Sequence, residues 1–303
     1  MLAYAFPGQG SQYSGMGRLL LETYPEAERT LRLADEVAGF PISRLLLDAS
    51  EEELRRTENT QPAIFLYSAA LYDALGETSP PEVVFGHSLG EFSALYAAGV
   101  FDFATALHLV LKRGEIMGRA AGGGMVAIVG EGALKWARRV IEEGKHSTLV
   151  IANYNSPKQV VISGAKEEID RALKDLREIT RSEGIRLRLV PLKVGAAFHS
   201  PMMEEAAREF KEVLERVKFN DPKVPVIMNS TGRVARTARE VREALHVQLR
   251  SPVRFTDMID EALSLGVDTV WEVGPGRVLC GLIRQTTDAI SCEPKDPKYA
   301  RVE

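Results

Sequence analysis

The chain has 303 residues, 45% of them hydrophobic and 26% charged, the composition of a globular protein large enough to carry a second structural unit. Lys plus Arg number 38 against 42 Asp plus Glu, a formal charge of −4. That balance argues against nucleic acid or an anionic membrane as partner, since both favour basic proteins. Cys280 and Cys292 are too few for a disulfide framework and lack metal-ligand spacing, so no metal is expected. Residues 1–7 have neither the basic start nor the apolar stretch of a secretion signal. No run approaches the roughly 18 apolar residues of a membrane span, and a cytoplasmic location is the default expectation.

Residues 2–6 are apolar and end at Pro7-Gly8, which reads as a buried strand entering a tight loop. Residues 61–74 have helical spacing. Pro80-Pro81 breaks the chain, and 83–85 is a short strand stopping at Gly86. Residues 91–98 form a helix ended by Gly99, and 103–119 form another. This alternation predicts an α/β layer with a mostly parallel sheet.

The pattern changes after Gly122-Gly123-Gly124. A strand at 125–129 and a helix at 133–143 come first. Strands at 149–153 and 159–163 flank the turn-forming Asn155-Ser156-Pro157. A helix at 166–182 and a strand at 185–192 complete a β-α-β-β-α-β order, which is ferredoxin-like. The expected organisation is an α/β-hydrolase-like catalytic subdomain in two pieces, 1–123 and 195–303, with a ferredoxin-like subdomain at 124–194 inserted. Strands near 224–229 and 269–273 return the chain to the larger unit. The last dozen residues, rich in Pro, Lys and Asp, read as a loose tail.

Gly86-His87-Ser88-Leu89-Gly90 fits G-x-S-x-G between a strand and a helix, the context in which a sharp turn projects a serine hydroxyl above the sheet. The bland alternative is a serine that caps the helix. A nucleophilic serine needs a base. Among five histidines, His87 adjoins the serine and diverges from it, His108 sits in a helix and His146 in a charged loop. His199 follows a strand and His246 is its competitor. No aspartate between Ser88 and His199 has a convincing setting, which argues for a Ser-His dyad oriented by an uncharged group and against an ordinary lipase or esterase. Arg113 is either a solvated helix arginine or, if it points inward, a guanidinium able to hold a carboxylate bidentately. Gly8-Gln9-Gly10 fails the dinucleotide fingerprint because Tyr13 stands where glycine is needed. Loop glycines near a catalytic serine serve better as oxyanion donors.

Six blocks now line up. Phe6-Pro7-Gly8-Gln9-Gly10-Ser11-Gln12, Gly86-His87-Ser88-Leu89-Gly90-Glu91 and Phe198-His199-Ser200-Pro201-Met202-Met203 are three of them. Asn153-Tyr154-Asn155-Ser156-Pro157, Gln248-Leu249-Arg250-Ser251-Pro252-Val253 and Glu272-Val273-Gly274-Pro275-Gly276 are the others. In this order, over nearly the whole chain, the sequence resembles the malonyl-CoA:acyl-carrier-protein transacylase family.

The resemblance implies Ser88 as acyl acceptor, His199 as general base and then acid, and Arg113 as ligand of the malonyl carboxylate. It implies backbone N–H groups of Gln9 and Leu89 as the oxyanion hole, and the Gln248 carbonyl as the group orienting His199. Phe198 resembles the malonyl-selecting form of its motif, a preference over a branched acyl group worth roughly 1–3 kcal/mol. Phe85 and Gly195 depart from the residues common in relatives. The implied partners are malonyl-CoA and acyl carrier protein, with no cofactor of the enzyme's own, since coenzyme A belongs to the substrate and phosphopantetheine to the carrier. A monomer is expected. Carrier proteins tend to be acidic, and Arg186, Arg188, Lys193, Arg277 and Arg284 are candidate contacts, each individually readable as a solvated charge. The competing readings are an acyltransferase for another acyl-CoA in a polyketide-type pathway, a serine hydrolase, and a catalytically silent carrier-binding subunit.

Overall fold

The computed structural model describes residues 1–76, 79–144 and 146–299. Two sheets organise it. The larger contains β1 (Leu2–Phe6), β2 (Val83–Gly86), β7 (Val226–Ile227), β8 (Val234–Ala235), β9 (Thr269–Glu272) and β10 (Ser291–Pro294) in the order β10-β9-β1-β2-β7-β8. Every neighbouring pair is parallel except β7 with β8.

The two central strands are buried on both faces, as a covered parallel sheet requires. Their alternation splits the core. Tyr4, Phe6 and Val84 face the side packed by helices Thr57–Leu75 and Phe103–Gly118, whereas Ala3, Ala5, Val83 and Phe85 face Phe255, Ile259 and Leu282 of two later helices. Helix Thr57–Leu75 starts four residues before the expected 61, with Pro62 inside it. It is buried nearly all round, so no polar stripe marks its beginning.

The second sheet contains β3 (Gly123–Val129), β4 (Val150–Ser156), β5 (Gln159–Ala165) and β6 (Arg188–Pro191), ordered β4-β5-β3-β6 and wholly antiparallel. Helices Ala133–Glu143 and Lys166–Ser182 close it through Trp136, Val140, Ile169 and Leu176. This is the ferredoxin-like pattern. The chain enters and leaves beside itself: Gly123 N donates to Gly195 O at 3.1 Å. The far edge is also attached, because Tyr154 N donates to Val253 O (2.9 Å) and Val253 N to Ala152 O (2.8 Å).

The tail expectation is corrected up to Tyr299; residues 300–303 lie outside the described residues. β10 adds to the sheet edge, and Cys292 on it is disulfide-bonded to Cys280. Asp296 is fully buried and accepts hydrogen bonds from Tyr13 (2.9 Å), Tyr67 (3.0 Å) and the amides of Gly276 (2.7 Å) and Lys298 (3.0 Å). A carboxylate with four donors anchors a chain that its composition alone portrays as free.

Candidate active site

Ser88 sits between β2 and helix Gly90–Ala97, with a left-handed backbone at φ 52°. The flanking glycines are needed for contact. A Cβ on Gly86 would lie 2.1 Å from the Gly90 carbonyl carbon, and one on Gly90 would lie 2.0 Å from Phe6 O. Strand, elbow and helix therefore approach more closely than side chains permit.

Ser88 Oγ lies 2.8 Å from His199 Nε2. His199 Nδ1 lies 3.1 Å from the carbonyls of both Gln248 and Ser251. Two acceptors on that side put the ring proton on Nδ1, which leaves the Nε2 lone pair facing the serine. His199 is 4% exposed. Burial first, then the nearby Arg113 charge, hold its pKa down at about 3, so the ring is a neutral base near pH 7.

Arg113, on helix Phe103–Gly118, is 1% exposed. Its Nη1 donates to Gln61 Oε1 (2.8 Å), its Nε and Nη2 to Gln248 Oε1 (3.3 and 3.0 Å), and its Nη2 also to Ser88 Oγ (3.1 Å). Burial lowers its pKa to about 10, against the pull of Glu91, and it remains a cation at neutral pH. Among the described residues it has no ion pair. A buried cation met by neutral oxygens and, at 5.6 Å, by the Phe92 ring is costly and is a ready seat for an anion.

A pocket of about 400 Å³ opens onto Ser88 and His199, with Gln9, Met125, Phe198 and Leu279 on its walls. Phe198 is 7% exposed. Among the described residues no internal hydrogen bond uses the amides of Gln9 or Leu89, leaving two N–H groups beside the serine unspent. The sequence-expected set of Ser88, His199, Arg113 and Gln248 thus meets within hydrogen-bond reach. His246 lies away from it, 2.9 Å from Glu215. His87 turns from the serine and meets Asn155 Oδ1 at 2.8 Å. Phe85 packs on Phe255, and a Cβ on Gly195 would meet open space. Arg186, Arg188, Lys193, Arg277 and Arg284 are all exposed, with Lys193 at the pocket.

Sequence reasoning missed Gln61 and Asn229. Asn229 is buried behind the elbow, where its Oδ1 accepts from Ser88 N (2.6 Å) and its Nδ2 donates to Gly86 O (2.6 Å). No local pattern marks it; the only hint is its place at the end of the apolar run expected as a strand near 224–229, two residues beyond β7.

A serine on a strand-to-helix elbow, met by an imidazole, is the apparatus of an enzyme that moves acyl groups. The chain belongs to the acyl transferase domain family, whose model matches residues 3–299. It is 41% identical over 291 residues to the malonyl CoA-acyl carrier protein transacylase of Bacillus subtilis (strain 168), covering 94% of this chain and 90% of the relative. It is 39% identical to a polyketide-biosynthesis malonyl CoA-acyl carrier protein transacylase of the same organism, covering 97% and 100%.

Among solved structures it is similar to an acyl carrier protein S-malonyltransferase from Vibrio cholerae, with a TM-score of 0.89 at 36% identity over 97% and 96% of the two chains. It is equally similar to a malonyl-transacylase solved in complex with its type II polyketide-synthase acyl-carrier protein, with a TM-score of 0.90 at 36% identity over 97% and 96%.

Proposed function

We propose that this acyltransferase moves a malonyl group from malonyl-CoA to the phosphopantetheine thiol of acyl carrier protein, supplying fatty acid synthesis. The observation that carries the substrate is Arg113: a buried guanidinium with no ion pair among the described residues, 3.1 Å from Ser88 Oγ, suits an acyl group that ends in a carboxylate.

The route is ping-pong. Ser88 Oγ gives its proton to His199 Nε2 and bonds to the thioester carbon. The carbonyl oxygen takes the electron pair, and the amides of Gln9 and Leu89 hold it. The intermediate collapses, the carbon–sulfur bond breaks, and CoA leaves as a thiol with the proton from His199. The carrier thiol then loses its proton to His199, attacks the malonyl-serine ester, and Ser88 recovers a proton as it departs. The Gln248 and Ser251 carbonyls favour the imidazolium formed midway in each half. No cofactor is required, because the activated acyl group arrives as a thioester. Phe198 on the pocket wall disfavours a branched α-carbon. The cytoplasm, where acyl-CoA is made and used, is the proposed location; no described helix is long and apolar enough to cross a membrane.

The test is intact mass after incubation with equal malonyl-, methylmalonyl- and acetyl-CoA. A dominant malonyl adduct is expected. It should be absent in Ser88→Ala, weakened about 100-fold or more in loading rate in Arg113→Ala, where a buried charge contact is lost, and discharged by a pantetheine thiol. A dominant acetyl or methylmalonyl adduct would overturn the substrate, and no adduct at all would overturn the mechanism.

A further inference from the structure

Glu91 is 1% exposed and lies in the first turn of helix Gly90–Ala97. Its oxygens accept three hydrogen bonds: from Asn229 N (2.6 Å), Asn229 Nδ2 (2.9 Å) and Gln248 Nε2 (2.6 Å). Asn229 goes on to hold the amide of Ser88 and the carbonyl of Gly86. Gln248 goes on to Ser88 O (3.0 Å), to Arg113 through Oε1, and to His199 through its backbone carbonyl. The carboxylate is thus one residue removed from Ser88, Arg113 and His199.

The order of partners along this chain has a polarity. A carboxylate only accepts and a guanidinium only donates. An amide between them has one stable orientation, with its NH₂ toward Glu91 and its oxygen toward Arg113. Without the carboxylate, the NH₂ end of the Gln248 amide is held only by the Ser88 carbonyl at 3.0 Å, and the rotated form would aim N–H groups at a cation. The distance matters as well. Arg113 feels Glu91 electrostatically yet makes no ion pair with it among the described residues. A direct pair would neutralise the cation that a substrate carboxylate needs, and a still more distant acid would leave a buried cation uncompensated.

We propose that Glu91 is a positioning residue for acyl transfer: through the Gln248 amide it aims the Arg113 guanidinium at the substrate carboxylate while leaving that guanidinium without an anionic partner of its own among the described residues. This rests on the malonyl-transfer reading above and goes beyond it, in that the acid which the serine–histidine dyad lacks acts on the carboxylate clamp and not on the imidazole.

The experiment compares loading of malonyl-CoA and acetyl-CoA by the unsubstituted protein and by Glu91→Gln, which keeps the shape and turns an NH₂ toward existing donors. The kcat/KM for malonyl-CoA is expected to fall about 10- to 100-fold, the scale of leaving a charged group wrongly hydrogen-bonded, chiefly through KM. That for acetyl-CoA, which has no carboxylate to be held, should fall far less. In an Arg113→Ala background, Glu91→Gln should leave the malonyl-to-acetyl ratio unchanged. If Glu91→Gln does not fold, Gln248→Met interrupts the same chain while retaining the backbone carbonyl at His199, and the same selective loss is expected. Equal loss of both substrates would show a merely structural role and overturn the proposal, leaving malonyl transfer intact. Failure of the unsubstituted protein to load malonyl would overturn the functional reading and the proposal with it.

Discussion

Ser88 and His199, whose side chains meet at 2.8 Å, are also the only two non-glycine residues with positive φ among the described residues, at 52° and 56°. Left-handed backbone costs a residue with a Cβ about 1–2 kcal/mol. It persists where surrounding contacts over-determine it, as the Ser88 N to Asn229 and His199 N to Leu249 O bonds do here. Ser88→Gly should therefore melt above Ser88→Ala by roughly 2–4 °C, corresponding to about 1 kcal/mol, with both variants unable to form an acyl adduct. Coincident melting curves would show that the elbow stores no strain.

His199 should remain neutral well below the usual histidine range. Burial and the Arg113 charge hold its pKa at about 3. Its ring resonances, assigned by comparison with His199→Ala, should not move between pH 8 and 5. A midpoint near 6.5 would contradict the electrostatic account of the site. A raised midpoint in Arg113→Ala would identify the guanidinium as one of the causes.

Glu168 gives the smaller sheet an acid-sensitive joint. Burial pushes its pKa up, but hydrogen bonds from the amides and hydroxyls of Thr148 and Ser147, at 2.6 to 3.0 Å, outweigh this and hold it at about 2. A folded-state pKa below the unfolded value, near 4.3, contributes stability that is complete above pH 4.3 and lost as pH falls toward 2. The unsubstituted protein should thus exceed Glu168→Gln in urea midpoint by most at pH 6, with the gap narrowing between pH 4.3 and 2. A gap independent of pH would rule out this linkage.

The Cys280–Cys292 disulfide closes a short loop, with a sequence separation of 12. A loop of that size contributes about 2–3 kcal/mol by restricting the unfolded chain. Oxidised protein should melt several degrees above protein held in reductant, and Cys292→Ala should abolish the difference. Equal melting temperatures for the unsubstituted protein in both conditions would show that the bond is absent or energetically idle.

The elbow was legible because its requirements are local: two glycines, a serine, a strand before and a helix after. The second unit was legible because short apolar runs, buried on both faces in β3 and β5, alternate with amphipathic helices of period 3.6 from 125 to 192. The network behind Ser88 was not. Glu91, Asn229 and Gln248 are separated by more than a hundred residues in places, and which atom of an amide faces which neighbour is settled only when donors and acceptors meet in space. Asp296 was misread for a related reason. Its partners Tyr13 and Tyr67 lie more than two hundred residues away, and nothing beside it in the chain announces that it is buried. The start of helix Thr57–Leu75 was displaced because a helix buried on all sides has no stripe to delimit it.

The bonds between β4 and Val253 govern how the mouth of the pocket is set. The smaller sheet joins the larger body through two chain crossings that lie side by side, and a cap held only there would rock about the line between them. β4 is at the opposite edge of the sheet from β6, about 10 Å or more from the crossings at the spacing of paired strands, and it is bonded on that side too. A third anchor off the line removes the rocking axis. Any rocking of the pocket's outer wall would first have to break the bonds at Val253, so that wall is tied to the larger body at both of its edges.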